Sequence, residues 1–584
     1  MKAASLLMVA GAITTVGTSL WSATLQTAPT SNPPPTASSA SVPAPPPFGP
    51  TVTAGRTLAT ADMTAASPLI PADIYRTSDN TVDHGDLATF AWLSFISAVS
   101  PASSSNRGVP GGSFSASGMS SAAGPLVWET YQHRTELLPC NIPGGNASPT
   151  PPQPWNAPPT YVIANTGGTA CSTLSISGTP SLPYNNLDEA TQIGQNSLFY
   201  PATPGASPNP ATDTQVLFEA RANQYEWSFV NQNYASLQPK FAPFRFSPAI
   251  TLPTGTVEVK AAWRPLSSIP SDQQYRYHTA TVITYGGTDA APVARTQTYA
   301  LIALHLIHKT PNYPAFIFAT FEQVDTLTNQ VTNKPSGVYY VPSYSAVGYS
   351  TPATTTFPPS GTTVPNPNIN FSVTAPTASP NGVSTPLPLG ATTGFQGAKV
   401  VAGLVTIPVT QPVTVVPDVA KVNAQALAAM QGIPGFNNQF VWQYYRLAGV
   451  QAIPTNDETT KDFYLANIVV ESSQPGIQLF RGFPPITKGT LTNLRNQVNV
   501  IDYHFSGGQN FSMGGCQGCH GVAQTQNGFD FSFLFFGAGG GGFSPETVGI
   551  VPPTMAAARM AAKRYMLPSS SSSPAATPSP PMKK

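Results

Sequence analysis

Cys516-Gln517-Gly518-Cys519-His520, a CxxCH pentapeptide, carries the clearest chemistry in the chain's 584 residues. CxxCH is the attachment sequence of c-type haem. Two thiols become thioethers on the porphyrin's vinyl groups, and the adjacent imidazole binds iron from the proximal side. The spacing has a physical reason: two intervening residues let one turn of chain present both sulfurs to one edge of the ring, and the next residue then points at the metal. Competing uses of the same residues fit less well. A redox CxxC belongs at a strand-to-helix turn of a βαβ unit, and no such alternation is legible here. A zinc site needs four ligands, and only His504 lies near enough in sequence to join the set.

Covalent haem is attached after export, and the N-terminus reads accordingly. Met1-Lys2 is followed by an uncharged apolar run to Trp21, the pattern of a secretory signal peptide over residues 1–23. The expected location is therefore the periplasm or the extracellular space. In that oxidising setting Cys140 and Cys171, the two cysteines outside the motif, are expected to form a disulfide. Closing a loop of about 30 residues would contribute roughly 3.5 kcal/mol in the chain-entropy picture.

Composition narrows the partners. Charged residues are 9% of the chain and the formal net charge is +1, so neither a nucleic-acid footprint nor an anionic-membrane patch is expected. No later stretch reads as a membrane-spanning helix. The expected partner is a redox protein or an external electron acceptor.

These elements must hold the haem in place. Residues 24–68 read as a Pro-rich linker, 69–498 as a β-rich body with a Thr/Pro-rich insertion near 350–393, 499–567 as the haem segment and 568–584 as a Ser/Pro/Ala tail. Helices are predicted from Asp86, taken as the N-cap, through Phe95, and from Pro125 to Leu138. Thr256–Trp263 alternates as a half-buried strand, and Tyr299–His308, apolar on both faces, predicts a central strand returning through Ala315–Val324. Further strands fit at Gln215–Arg221, Ala280–Tyr285, Val338–Val341 and Lys399–Ile407. The fold class is thus mainly β with some helices, a sandwich-like or irregular β body plus a small haem-carrying segment. Within that segment a short helix from Cys516 should hold His520, and Phe529, Phe531, Phe533, Phe535 and Phe536 could wall off water.

The sixth ligand of the iron decides function. Met560 and Met566, on a helix predicted over Thr554–Leu567, and His308, at the end of the apolar strand, are the candidates. A filled site favours electron transfer, whereas an open one permits peroxidase or oxygenase chemistry or gas sensing.

Several segments resemble a family of bacterial exported monohaem cytochrome c-like proteins. They are Phe90-Ala91-Trp92-Leu93-Ser94-Phe95, Val127-Trp128-Glu129-Thr130, Glu258-Val259-Lys260-Ala261-Ala262-Trp263-Arg264, His305-Leu306-Ile307-His308-Lys309-Thr310-Pro311, Ala319-Thr320-Phe321-Glu322-Gln323-Val324-Asp325 and the CxxCH motif with Gly521. The resemblance spans about Leu87 to Phe536 and implies haem c binding and electron transfer. Members commonly end soon after the motif, which would make the Met-bearing C-terminal helix peculiar to this chain.

Overall fold

Apolar strands that alternate or run apolar on both faces must pair and be covered, and the chain does this with one large open sheet. The computed structural model describes residues 44–77, 82–118, 124–139, 151–164, 171–189, 196–200, 213–237, 250–288, 291–325, 339–342, 362–365, 370–373, 389–390, 399–401, 404–406 and 417–452. In the C-terminal region it describes Cys516, His520, Asp530, Ser532 and Leu534. Among these residues the protein is mainly antiparallel sheet with some helices, and the sheet does not close into a barrel.

The 8-stranded sheet uses β1 (Gln132–His133), β2 (Asn185–Asn186), β3 (Leu217–Ala222), β4 (Val257–Pro265), β5 (Thr279–Thr288), β6 (Ala291–His308), β7 (Ile317–Gln323) and β8 (Tyr445–Gln451). Their order is β1-β3-β4-β6-β7-β8. β5 pairs with the first half of β6, and β2 joins β5 in parallel. Strand β6 is central, as its two-sided apolar character requires: its second half pairs with β4 on one side and β7 on the other. Five shorter strands, including Asn196–Tyr200 and Tyr339–Pro342, make a second antiparallel sheet.

Helix α1 (His84–Ala98) covers one face of the large sheet. It begins earlier than the sequence suggests, because Asp83 is the N-cap: its Oδ1 accepts from the backbone N–H groups of Gly85 at 2.8 Å and Asp86 at 3.2 Å. Asp86 instead accepts from Gly55 N at 3.0 Å and from the Tyr75 hydroxyl at 2.8 Å. Of its 15 residues 13 are buried, so this helix is packed nearly all round. Phe95 stacks on Phe321 at 4.1 Å while Trp92 and Trp442 meet the pair edge-on. Each such aromatic contact is worth about 0.5–1.5 kcal/mol beyond the area it buries.

Helix α2 (Gln224–Leu237) follows β3, and α3 (Pro417–Gln431) packs on α1. Asn423 ties α3 to both neighbours: its Oδ1 accepts from Trp92 Nε1 and Leu447 N, and its Nδ2 donates to Leu447 O. The helix predicted over Pro125–Leu138 is broken into a 3-10 turn at Trp128–Thr130, strand β1 and a four-residue helix at Arg134–Leu137. Pairing of β1 with β3 wins over helix propensity there. The stretch read as linker to residue 68 is packed from Phe48 on, with Val52 and Met63 buried and a short helix at Thr60–Thr64. No helix among the described residues is long and apolar enough to cross a membrane.

Candidate functional site

Side chains alternate along a strand, so the second half of β6 presents His305 and Ile307 to one face of the sheet and Leu304, Leu306 and His308 to the other. The register extends each set sideways. Lys260 and Thr320 flank His305, and Glu258 and Phe318 flank Ile307. The face carrying Leu304 and His308 is the one that α1 covers. The His305 face meets the C-terminal residues.

Cys516 and His520 are both helical. Cys516 is half-buried against the core and His520 is buried. The His520 ring lies 4.7 Å from the ring of Phe318 and 6.1 Å from that of His305, centre to centre. His305 Nδ1 is hydrogen-bonded with Thr320 Oγ1 at 2.5 Å, while its Nε2 is buried with no hydrogen-bond partner among the described residues. Burial pushes the His305 pKa well below that of an ordinary imidazole, and the nearby His520 and Lys260 push it the same way.

His308 is three residues away and in different surroundings. It is sandwiched between Phe48 at 5.3 Å and Phe90 at 5.7 Å, and burial pushes its pKa down to about 3. This places it on the far side of the sheet from His520. Cys519, Met560, Met566, His504 and the Phe529–Phe536 aromatics lie outside the described residues, as does Cys140; Cys171 is in a short strand, Cys171–Thr173.

The C-terminal residues are fixed to the sheet at a second point. Asp530, at φ 57° in the left-handed region that Asp tolerates, is buried. Its Oδ2 accepts from Lys309 Nζ at 2.6 Å and from Leu252 N at 2.8 Å. Lys309 directly follows β6 and also lies 5.5 Å from the centre of the Phe316 ring. Ser532 bonds to Glu258, and Leu534 joins the main apolar core. Glu258 faces Glu226 of α2. Burial is the largest cause raising both, to about 8 for Glu258 and well above the ordinary value for Glu226, with the nearby Asp530 charge adding to each. Among the described residues neither carboxylate oxygen of Glu226 has a donor, so the contact becomes a hydrogen bond only when one glutamate of the pair keeps a proton.

Comparison with protein-family models, curated proteins and solved structures finds no match to this chain.

The donor set suits a metal that arrives with its in-plane ligands. Among the described residues no group of three or more His, Cys, Asp or Glu side chains is placed to hold an ion by itself. What the site offers is a thiol, two facing imidazoles and an aromatic wall, and one imidazole nitrogen is orphaned. That combination fits haem attached through CxxCH. The sequence reading missed His305. Alternation does separate His305 from His308, but nothing local says which face the CxxCH motif will meet.

Proposed function

We propose that this chain is an exported c-type cytochrome that carries one covalent haem and transfers electrons. The observation that carries the reading is the CxxCH motif, with its Cys516 and His520 helical and His520 buried on an aromatic, imidazole-bearing sheet face. Cys516 and Cys519 are the covalent anchors and His520 the proximal ligand. Haem supplies a one-electron couple; the protein supplies position and dielectric. Phe318 packs beside the proximal imidazole and helps keep water from it. The Lys309–Asp530 ion pair, backed by Leu252 N–H, fastens the chain ten residues beyond His520, so the motif is held at two points.

The haem face would deliver electrons to a partner protein or an external acceptor in the periplasm or beyond, and a Cys140–Cys171 disulfide belongs to the same oxidising setting. The deciding experiment exports the full chain from a host with haem-maturation machinery, then denatures it and extracts with acidified organic solvent. Haem should stay with the polypeptide and be lost from Cys516→Ser with Cys519→Ser. A wild-type chain without covalent haem would end the proposal.

A further inference from the structure

We infer that His305 is the second axial ligand of the haem iron, opposite His520. The inference rests on the haem reading above. Its first support is distance. Two imidazoles that share a metal stand apart by two metal–nitrogen bonds of about 2.0–2.1 Å each plus the half-widths of the two rings, about 6 Å between centres. The His305 and His520 rings are 6.1 Å apart. The second support is the orphaned nitrogen. A buried imidazole nitrogen without a partner is costly, and among the described residues His305 Nε2 has none. Coordination would satisfy it.

Orientation is the third support. Ligand histidines are usually fixed through their other ring nitrogen, and His305 Nδ1 is engaged by Thr320 Oγ1 across the strand pair. With Nδ1–H donating to that oxygen, the lone pair lies on Nε2. Rigidity is the fourth: His305 stands in the middle of the sheet, held by β4 on one side and β7 on the other. His308, on the same strand, is packed between two Phe rings on the opposite face. A site so ligated has both axial positions filled by imidazole, which suits electron transfer and lacks the potential-raising thioether of a His/Met site.

The test uses the full, haem-loaded chain and reads the iron directly. Absorption spectra with and without carbon monoxide are combined with near-infrared magnetic circular dichroism, which separates bis-imidazole from imidazole–thioether iron. Wild type should be low-spin, of bis-imidazole type and unchanged by carbon monoxide. His305→Ala should keep its covalent haem, turn high-spin and bind carbon monoxide, and free imidazole should restore the low-spin spectrum. His308→Ala should look like wild type. A wild type that binds carbon monoxide at once, or that shows imidazole–thioether iron, overturns the inference without any variant having to fold. So does a His305→Ala chain that stays low-spin. In each of those cases haem attachment survives; a wild type lacking covalent haem would instead sink the haem reading, and this inference with it.

Discussion

Two sets of buried carboxylates in this protein are handled in opposite ways. Around β1, β2 and β3 nearly every acid has its own basic partner. Arg107 meets Glu136 through both terminal nitrogens at 2.8 and 3.0 Å, Arg134 bridges Asp188 and Glu189, Arg221 holds Glu219 and His278 holds Glu129 at 3.0 Å. Burial alone would raise these acids, yet the cations and hydrogen bonds leave Glu129, Glu136, Asp188 and Glu189 below the ordinary carboxylate range. Only Glu219 stays raised, its burial outweighing Arg221. Where the C-terminal residues dock, Lys309 pairs with Asp530 alone, and Glu226 and Glu258 face each other without a cation among the described residues, so both rise. The first set is a finished framework. The second holds a proton between two buried glutamates instead of a cation beside each.

The largest effect should come from breaking the framework. Arg107→Met leaves Glu136 buried without its cation and removes donors from the carbonyls of Thr130, Tyr131 and Ala157. Removing one partner of a buried pair costs about 3–5 kcal/mol, and this variant belongs at the upper end. Chemical denaturation should show the loss across the whole body. Lys309→Met should cost less globally, because Asp530 keeps the Leu252 N–H. Its signature would be local: limited proteolysis should cut the C-terminal region of the variant well before the sheet, with the body's far-ultraviolet signal unchanged. Equal loss throughout would show that the two regions are not separable.

The two sets also predict opposite limbs of a pH profile. Acids held below their unfolded values stabilise the fold above those values, and that stability is lost as pH falls below about 4 through their folded pKa values. Acids held above do the reverse. The Glu226/Glu258 pair keeps a proton that the unfolded chain releases near the ordinary value of 4.5, so its contribution is full below that pH and declines up to about 8. Stability should therefore peak in weak acid and fall by on the order of a few kcal/mol toward pH 8. Urea midpoints across that range measure it. Replacing both residues, Glu226→Gln with Glu258→Gln, should make the limb between 4.5 and 8 shallower, leaving the part due to Glu219, and keep the acid limb intact.

Much of the framework was legible in the chain itself. Strand β4 forms where its alternation predicts but is not half-buried: Glu258 is buried too, because α2 and the C-terminal residues cover its face, and β6 is central because both of its faces are apolar. Helix α3 was legible too and was missed. Pro417 and Asp418 open it, and the buried Val419, Val422, Ala426 and Met430 recur at helical spacing. The long Thr/Pro-rich tract before it hides that signal. The docking of the C-terminal residues was not legible, because it depends on contacts remote in sequence, such as Lys309–Asp530, 221 residues apart. Local periodicity carries no information about such a pairing, and so could not choose between His305 and His308.

The smallest expected effect sharpens the contrast most. His308 has two buried ring nitrogens with no hydrogen-bond partner among the described residues, and its ring is stacked between Phe48 and Phe90. Replacing it with an apolar side chain of similar size removes that unmet polarity while keeping the packing. His308→Leu should lie within about 1 kcal/mol of wild type, with stabilisation the favoured sign. His305 has the same residue type, the same strand and nearly the same burial, so a stability scan alone would rank the two histidines together. The haem spectrum should separate them if His305 is the second ligand, because the His305 ring lies 6.1 Å from that of His520 and the His308 ring is stacked between two phenyl rings on the opposite face. If His308→Leu disturbed the iron as much as a change at His305, the two faces of the sheet would be coupled, and alternation would not be what isolates the site.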